Sequence, residues 1–140
     1  MHTEHHLRDE FNNAVTHGLG AFLSVIGGIV LIVLGALYGD KWQLISAIVF
    51  SVSLVGLYGA STLYHSTQEP KAQLRYKILD HCMIYVLIAG SYTPFTLIAM
   101  RDDGGWWIFG ISWAIALAGI IFKLFFTGRF ELLSTLMYLA

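Results

Sequence analysis

Residues 23–38 read LSVIGGIVLIVLGALY. The stretch carries no charged side chain, and its one hydroxyl is Ser24. A transmembrane helix needs about 20 mostly apolar residues to cross about 30 Å of hydrocarbon. Taken back to about Ala14 and on to Tyr38, this segment is long enough to do so. Three more segments of the same kind follow, from about Gln43 to Tyr64, roughly Ile78 to Met100, and Trp106 to Leu124. A fifth begins near Glu131 as ELLSTLMYLA and reaches the last residue. Its ten residues would rise about 15 Å as a helix, half the hydrocarbon thickness, leaving a terminal carboxylate in lipid where charge is expensive. Ala140 is therefore expected to be a truncation point. The expected fold is all-α, a polytopic transmembrane helical bundle with four full spans plus the start of a fifth. Residues 1–140 form one membrane domain, and residues 1–11 a polar cytoplasmic tail expected to be disordered.

Composition supports this reading. Of 140 residues, 56% are hydrophobic and 12% charged, against about 25% charged in an average soluble domain. The mean hydropathy is +0.67. A net charge of −1 argues against nucleic acid as a partner, and membrane lipids take that place. Cys82 stands alone, so no internal disulfide framework is expected. The opening MHTEHHLRDEF lacks the basic-then-apolar order of a signal peptide.

Orientation follows from where Lys and Arg fall. With the N-terminus in the cytoplasm, Arg8, Lys71, Arg75, Lys77, Lys123 and Arg129 lie inside, and Lys41 and Arg101 outside. The expected location is the cell membrane, plasma or inner, with a cytoplasmic N-terminus. Trp106 and Trp107 would join an outer aromatic belt. Pro94 is expected to kink the third span, with Ser91 and Thr93 near the backbone groups it frees. Gly27, Gly28, Gly35, Gly56 and Gly59 permit close helix packing. Faces left without partner helices would favour homo-oligomerisation.

With this orientation His17, Ser61, His65, Asp80 and His81 lie at a similar depth near the inner leaflet. Ser61 and His65 are four apart and share a helix face. Glu10, Asn13 and His17 form another stripe if the first helix extends that far back. Asp80 and His81 diverge by about 100°, so one of them points at any given centre. Ionisable residues inside a membrane mark a functional site or a polar pairing. Histidine with carboxylate suits zinc, whose catalytic sites keep an open water position. Asp80 could then orient that water or take its proton, and Ser61 could bond a developing oxyanion. Each residue also has a plainer reading. His65 and His81 could meet headgroups and water, Asp80 could complement a helix dipole, and Ser61 could bond back to its own helix. His17 stands open between the two readings. His2, His5 and His6 read as solvated, and Glu131 as a dipole-complementing charge.

At these positions the sequence resembles a known family. NNAVTHGLGAFLS from Asn12, YGASTLYHS from Tyr58, LDHCMIYVLIAGSYTPF from Leu79 and GIIFKL from Gly119 are similar, in this order, to the hemolysin III family. That family is the bacterial branch of the progestin and adipoQ receptor superfamily, itself distantly related to alkaline ceramidases. The resemblance implies seven helices, a cytoplasmic N-terminus and a zinc site near the cytoplasmic leaflet. It puts the family's second-helix serine and histidine on Ser61 and His65 and its third-helix aspartate on Asp80. Glu10, Asn13 and His17 match the bacterial branch's N-terminal motif. The family's seventh-helix HxxxH pair has no counterpart here. The chain is thus expected to offer a metal His65 and Asp80, with His81 or His17 in reserve, and to hold zinc poorly by itself. The first functional expectation is a zinc-dependent hydrolase of lipid amide or related bonds, with Asp80 and Ser61 catalytic and His65 a metal ligand. The alternatives are a pore-forming, cytolytic channel and a receptor-like membrane-homeostasis protein with a structural zinc site.

Overall fold

The computed structural model describes residues 2–126, and every regular element within them is helical. Helix α1 runs His2–Tyr38, α2 Lys41–Ser66, α3 Pro70–Pro94 and α4 Trp106–Phe126. Two short π-helical turns, Phe95–Ala99 and Arg101–Gly105, join α3 to α4. Four segments are long and apolar enough to cross a membrane, and large apolar side chains such as Phe22, Ile29, Val52 and Leu117 face outward, as lipid contact requires. The segment from Glu131, with Arg129, lies outside the described residues.

The helix ends differ from the hydropathy reading in two instructive places. Helix α1 begins at His2, so the N-terminal stretch is helical and not disordered. Hydropathy marks where a chain leaves lipid; the helix continues because residues 2–13 contain neither glycine nor proline. Helix α3 begins at Pro70, eight residues before the expected span. Glu69 caps it by accepting from the N–H groups of Lys71 (3.1 Å) and Ala72 (2.7 Å), and Pro70 occupies the first turn, where its missing N–H costs nothing. Helix α2 starts with a capping box. Asp40 accepts from Trp42 and Gln43 N–H, and Gln43 Oε1 accepts from Asp40 N–H, all at 2.8 Å. Such a cap contributes about 1 kcal/mol.

Successive helices run antiparallel. Gly20 of α1 meets Tyr58, Gly28 meets Ser51 and Gly35 meets the Leu44 backbone. Between α2 and α3, Gly56 meets Met83 and Gly90 meets Ser53. Gly28, Gly35 and Gly56 thus serve close packing as expected, whereas Gly27 and Gly59 have no neighbour there. Tyr85, Ala89 and Ala116 form the buried contact of α3 with α4, and Trp113 Nε1 donates to Thr93 Oγ1 at 3.2 Å.

Pro94 lies inside the third span, Pro70–Ala99, and there the α-helix gives way to a π-helical turn. Its ring leaves the Gly90 carbonyl without a helical donor. The hydroxyls of Ser91 and Thr93 do not fill that place, because they donate to Leu87 and Ala89 carbonyls (2.7 and 2.9 Å). The chain widens into the π-helical turns, where Met100 N–H reaches Phe95 O (2.9 Å) and Gly105 N–H reaches Met100 O (2.7 Å). The turn into α4 uses Gly104 at φ +85°. Gly104→Ala is expected to cost about 1–2 kcal/mol, the penalty of a Cβ in that region. Equilibrium unfolding in detergent would check this, and an unchanged midpoint would contradict it. At this end of the bundle the Trp42 ring packs edge-on to Trp106 at 5.3 Å, with Lys41 and Arg101 over it at 5.1 and 5.4 Å. Lys123 is no loop cation: it lies within α4 and is buried, which removes it from the orientation argument.

Candidate functional site

The opposite end of the bundle gathers the polar side chains. Because α1 is helical back to His2, Glu10 and His17 project from one face, about two turns apart. Because α1 and α2 are antiparallel, that face meets the Ser61–His65 face of α2 in reverse order. His65 Nδ1 and Glu10 Oε2 are 2.9 Å apart, with side chains only 14% and 20% exposed. His17 Nδ1 and Ser61 Oγ are 2.5 Å apart. The rings of His17 and His65 meet edge to face at 5.3 Å between centroids. Ser61 therefore bonds across the helix interface and not back to its own helix. Thr62 does the latter, donating to Tyr58 O at 2.6 Å. Asn13 lies on the same stripe without a side-chain hydrogen bond among the described residues; its carbonyl accepts from Thr16 Oγ1 at 3.1 Å.

Asp80 is the buried member of its pair at 9% exposure, while His81 is half-buried. The contacts of Gly56 with Met83 and Gly90 with Ser53 set Asp80 within about a turn of Ser61 in depth. Asp80 is ten residues into α3, about 15 Å from its start, and a helix dipole acts only over the first turn. Dipole complementation therefore does not account for this carboxylate. Nor does a salt bridge or hydrogen bond among the described residues. Burying such a group without a partner is costly.

Two tyrosines complete the surroundings. Tyr58 packs its ring 6.0 Å from that of His17, and Tyr64 lies 4.6 Å from that of His65, within electrostatic reach of Glu10 and Asp80. Tyr58 had a legible signal, since it shares the Ser61–His65 face at helical spacing. A cleft of about 540 Å³ opens beside the pair, lined among others by His6, Glu10, His65, Gln68 and Gln73.

No three histidine, cysteine or carboxylate side chains among the described residues converge on one point as a metal would need. The donors present do suit part of a zinc shell. His65 bonds Glu10 through Nδ1, which leaves Nε2, and Asp80 is a buried carboxylate with unused oxygens. That is one imidazole and one carboxylate, both ordinary zinc ligands.

The fold and this layer define a multi-pass helical membrane protein with a buried histidine–carboxylate–serine cluster at one end of the bundle. The chain belongs to the haemolysin-III-related family, whose model matches residues 5–140. It is 46% identical over 133 residues to the hemolysin-3 homolog of Bacillus subtilis (strain 168), covering 95% of this chain and 62% of that protein. It is equally identical, over 133 residues, to hemolysin-3 of Bacillus cereus, covering 95% and 61%. The human monocyte to macrophage differentiation factor is 28% identical over 138 residues, covering 91% and 54%. The chain thus spans about three fifths of the length of its Bacillus relatives. No solved structure matches it.

Proposed function

We propose that the polar layer is part of a zinc-dependent hydrolase site acting on lipid amide or related bonds at the cytoplasmic leaflet. The observation that carries this reading is Asp80, a carboxylate 9% exposed within a membrane-spanning helix and without a partner among the described residues. Proteins rarely keep such a group unless a cation or a reaction uses it. His65, through Nε2, and Asp80 would hold the metal, with further ligands supplied from outside the described residues. When bound, zinc supplies a Lewis acid and a water ionised near neutral pH.

The remaining work falls to this chain's own side chains. Asp80 accepts the proton of the attacking water. Ser61, held by His17 at 2.5 Å, donates to the oxygen that becomes negative as the carbonyl is attacked. The apolar helix faces keep an acyl chain beside the site and limit competing water. The cations Lys71, Arg75 and Lys77 in the first turns of α3, next to this end of the bundle, support a cytoplasmic position.

A pore is less well supported, although the Bacillus relatives carry the name hemolysin. A channel needs a polar lining, and two mid-membrane hydroxyls bond back to their own helices instead. Ser24 donates to Gly20 O (2.6 Å) and Ser112 to Phe109 O (2.9 Å). The deciding experiment is elemental analysis of the purified protein and its His65→Ala variant, paired with fatty-acid release from N-acyl lipids. Zinc binding in the parent, lost with turnover in the variant, is expected. Absence of zinc from the parent would remove the proposal.

A further inference from the structure

Glu10, like Asn13 and His81, has no task in the hydrolase scheme, yet its carboxylate lies 2.9 Å from His65 Nδ1 across the α1–α2 interface. An ionised carboxylate can only accept hydrogen bonds. Opposite an ionised Glu10, His65 Nδ1, 2.9 Å from Oε2, would carry the proton. In a neutral imidazole the other nitrogen, Nε2, then holds the lone pair. The contact is also geometrically constrained. It is made across the α1–α2 interface, both side chains are mostly buried, and the His65 ring is flanked by those of Tyr64 at 4.6 Å and His17 at 5.3 Å. The ring is held from one edge and from its sides, so the Nε2 edge has a fixed direction.

We infer that Glu10 is a positioning residue that selects the Nδ1–H tautomer of His65 and fixes its ring so that Nε2 is presented to a divalent cation. The inference rests on the zinc reading only for the identity of that cation. Carboxylates commonly orient metal-binding histidines in this way, and their loss costs about 10- to 100-fold in metal affinity. It also gives the helical extension of α1 a purpose. Glu10 lies seven residues before His17 and beyond the apolar run, and only a helix continued through residues 10–17 brings both side chains to α2, one to His65 and one to Ser61.

The test is nitrogen NMR of histidine-labelled protein in detergent at neutral pH, with the His65 signals assigned by their disappearance in His65→Gln. The wild type is expected to show a protonated Nδ1 and an unprotonated Nε2. Glu10→Gln, whose amide oxygen still accepts, is expected to keep that pattern, and Glu10→Ala to move the proton to Nε2. In parallel, competition titration with zinc is expected to find binding 10- to 100-fold weaker in Glu10→Ala than in wild type. A wild-type His65 protonated on Nε2, or on both nitrogens, overturns the inference even if Glu10→Ala fails to fold. Equal zinc affinity in wild type and Glu10→Ala overturns it as well. No zinc binding in the wild type, with the Nδ1–H tautomer present and dependent on Glu10, removes the hydrolase proposal and leaves the positioning role standing.

Discussion

Asp80→Asn is expected to make the metal-free protein more stable and to abolish the proposed hydrolysis. Asp80 is 9% exposed and makes no ion pair or hydrogen bond among the described residues, so in the absence of a cation its charge is poorly compensated. Asparagine has nearly the same shape and no charge. The gain in the metal-free protein should be of the order of an unsatisfied buried group, about 1–3 kcal/mol. The proposed turnover should fall by roughly 10²–10⁴-fold, because the group proposed to accept the water's proton is gone. The two effects have opposite signs, which is what separates a site from a structural charge. A carboxylate retained for helix stability would give a less stable variant with turnover intact. Chemical unfolding of chelator-treated protein in detergent, beside the lipid-amide assay, reads both quantities. Lower stability in Asp80→Asn would sink the argument.

The unequal legibility of fold and site has a physical cause. Spans are written in hydropathy because the bilayer imposes a length on any apolar helix, and so the four crossings needed no tertiary information. The ends were less legible. KAQLRYK at residues 71–77 is polar and reads as loop, although Glu69 and Pro70 just before it are a helix start signal. That longer α3 changes the meaning of Asp80. A residue that would open a span at Ile78 lies three turns deep in a helix that opens at Pro70. In the site, the pairing of Ser61 with His65 on one face was legible from spacing four. The pairing of Glu10 with His65 was not, because spacing along one helix carries no information about its register against another. That register depends on where Gly20, Gly28 and Gly35 let α1 approach α2. The choice of Asp80 over His81 as the buried member likewise depends on how α3 is rotated, which no neighbouring pair reveals by itself.

A large, purely structural effect is expected at Gly119. This residue of α4 faces Tyr85 of α3, and a Cβ built on it would lie 2.5 Å from the ring's Cε1. Real Cβ atoms do not come so close to a ring atom, so either the ring or the helix has to move. The ring has little freedom, since Tyr85 is 2% exposed and packs with Ala89 and Ala116, with Trp113 and Ile120 against the cluster. Gly119→Val therefore forces α4 away from α3 at their central contact. Overpacking of this kind costs about 1–3 kcal/mol, occasionally more. It should also lengthen the Trp113 to Thr93 hydrogen bond on the same interface, 3.2 Å in the native arrangement. Gly110→Val provides the control. Gly110 lies on the same helix, and a Cβ there meets nothing within 4 Å, so its effect should stay within about 0.5 kcal/mol. Unfolding of both variants in one detergent, followed by tryptophan fluorescence, measures the difference. Equal stability of the two variants would mean that α3 and α4 do not meet at Tyr85, and the packing described for that half of the bundle would fall with it.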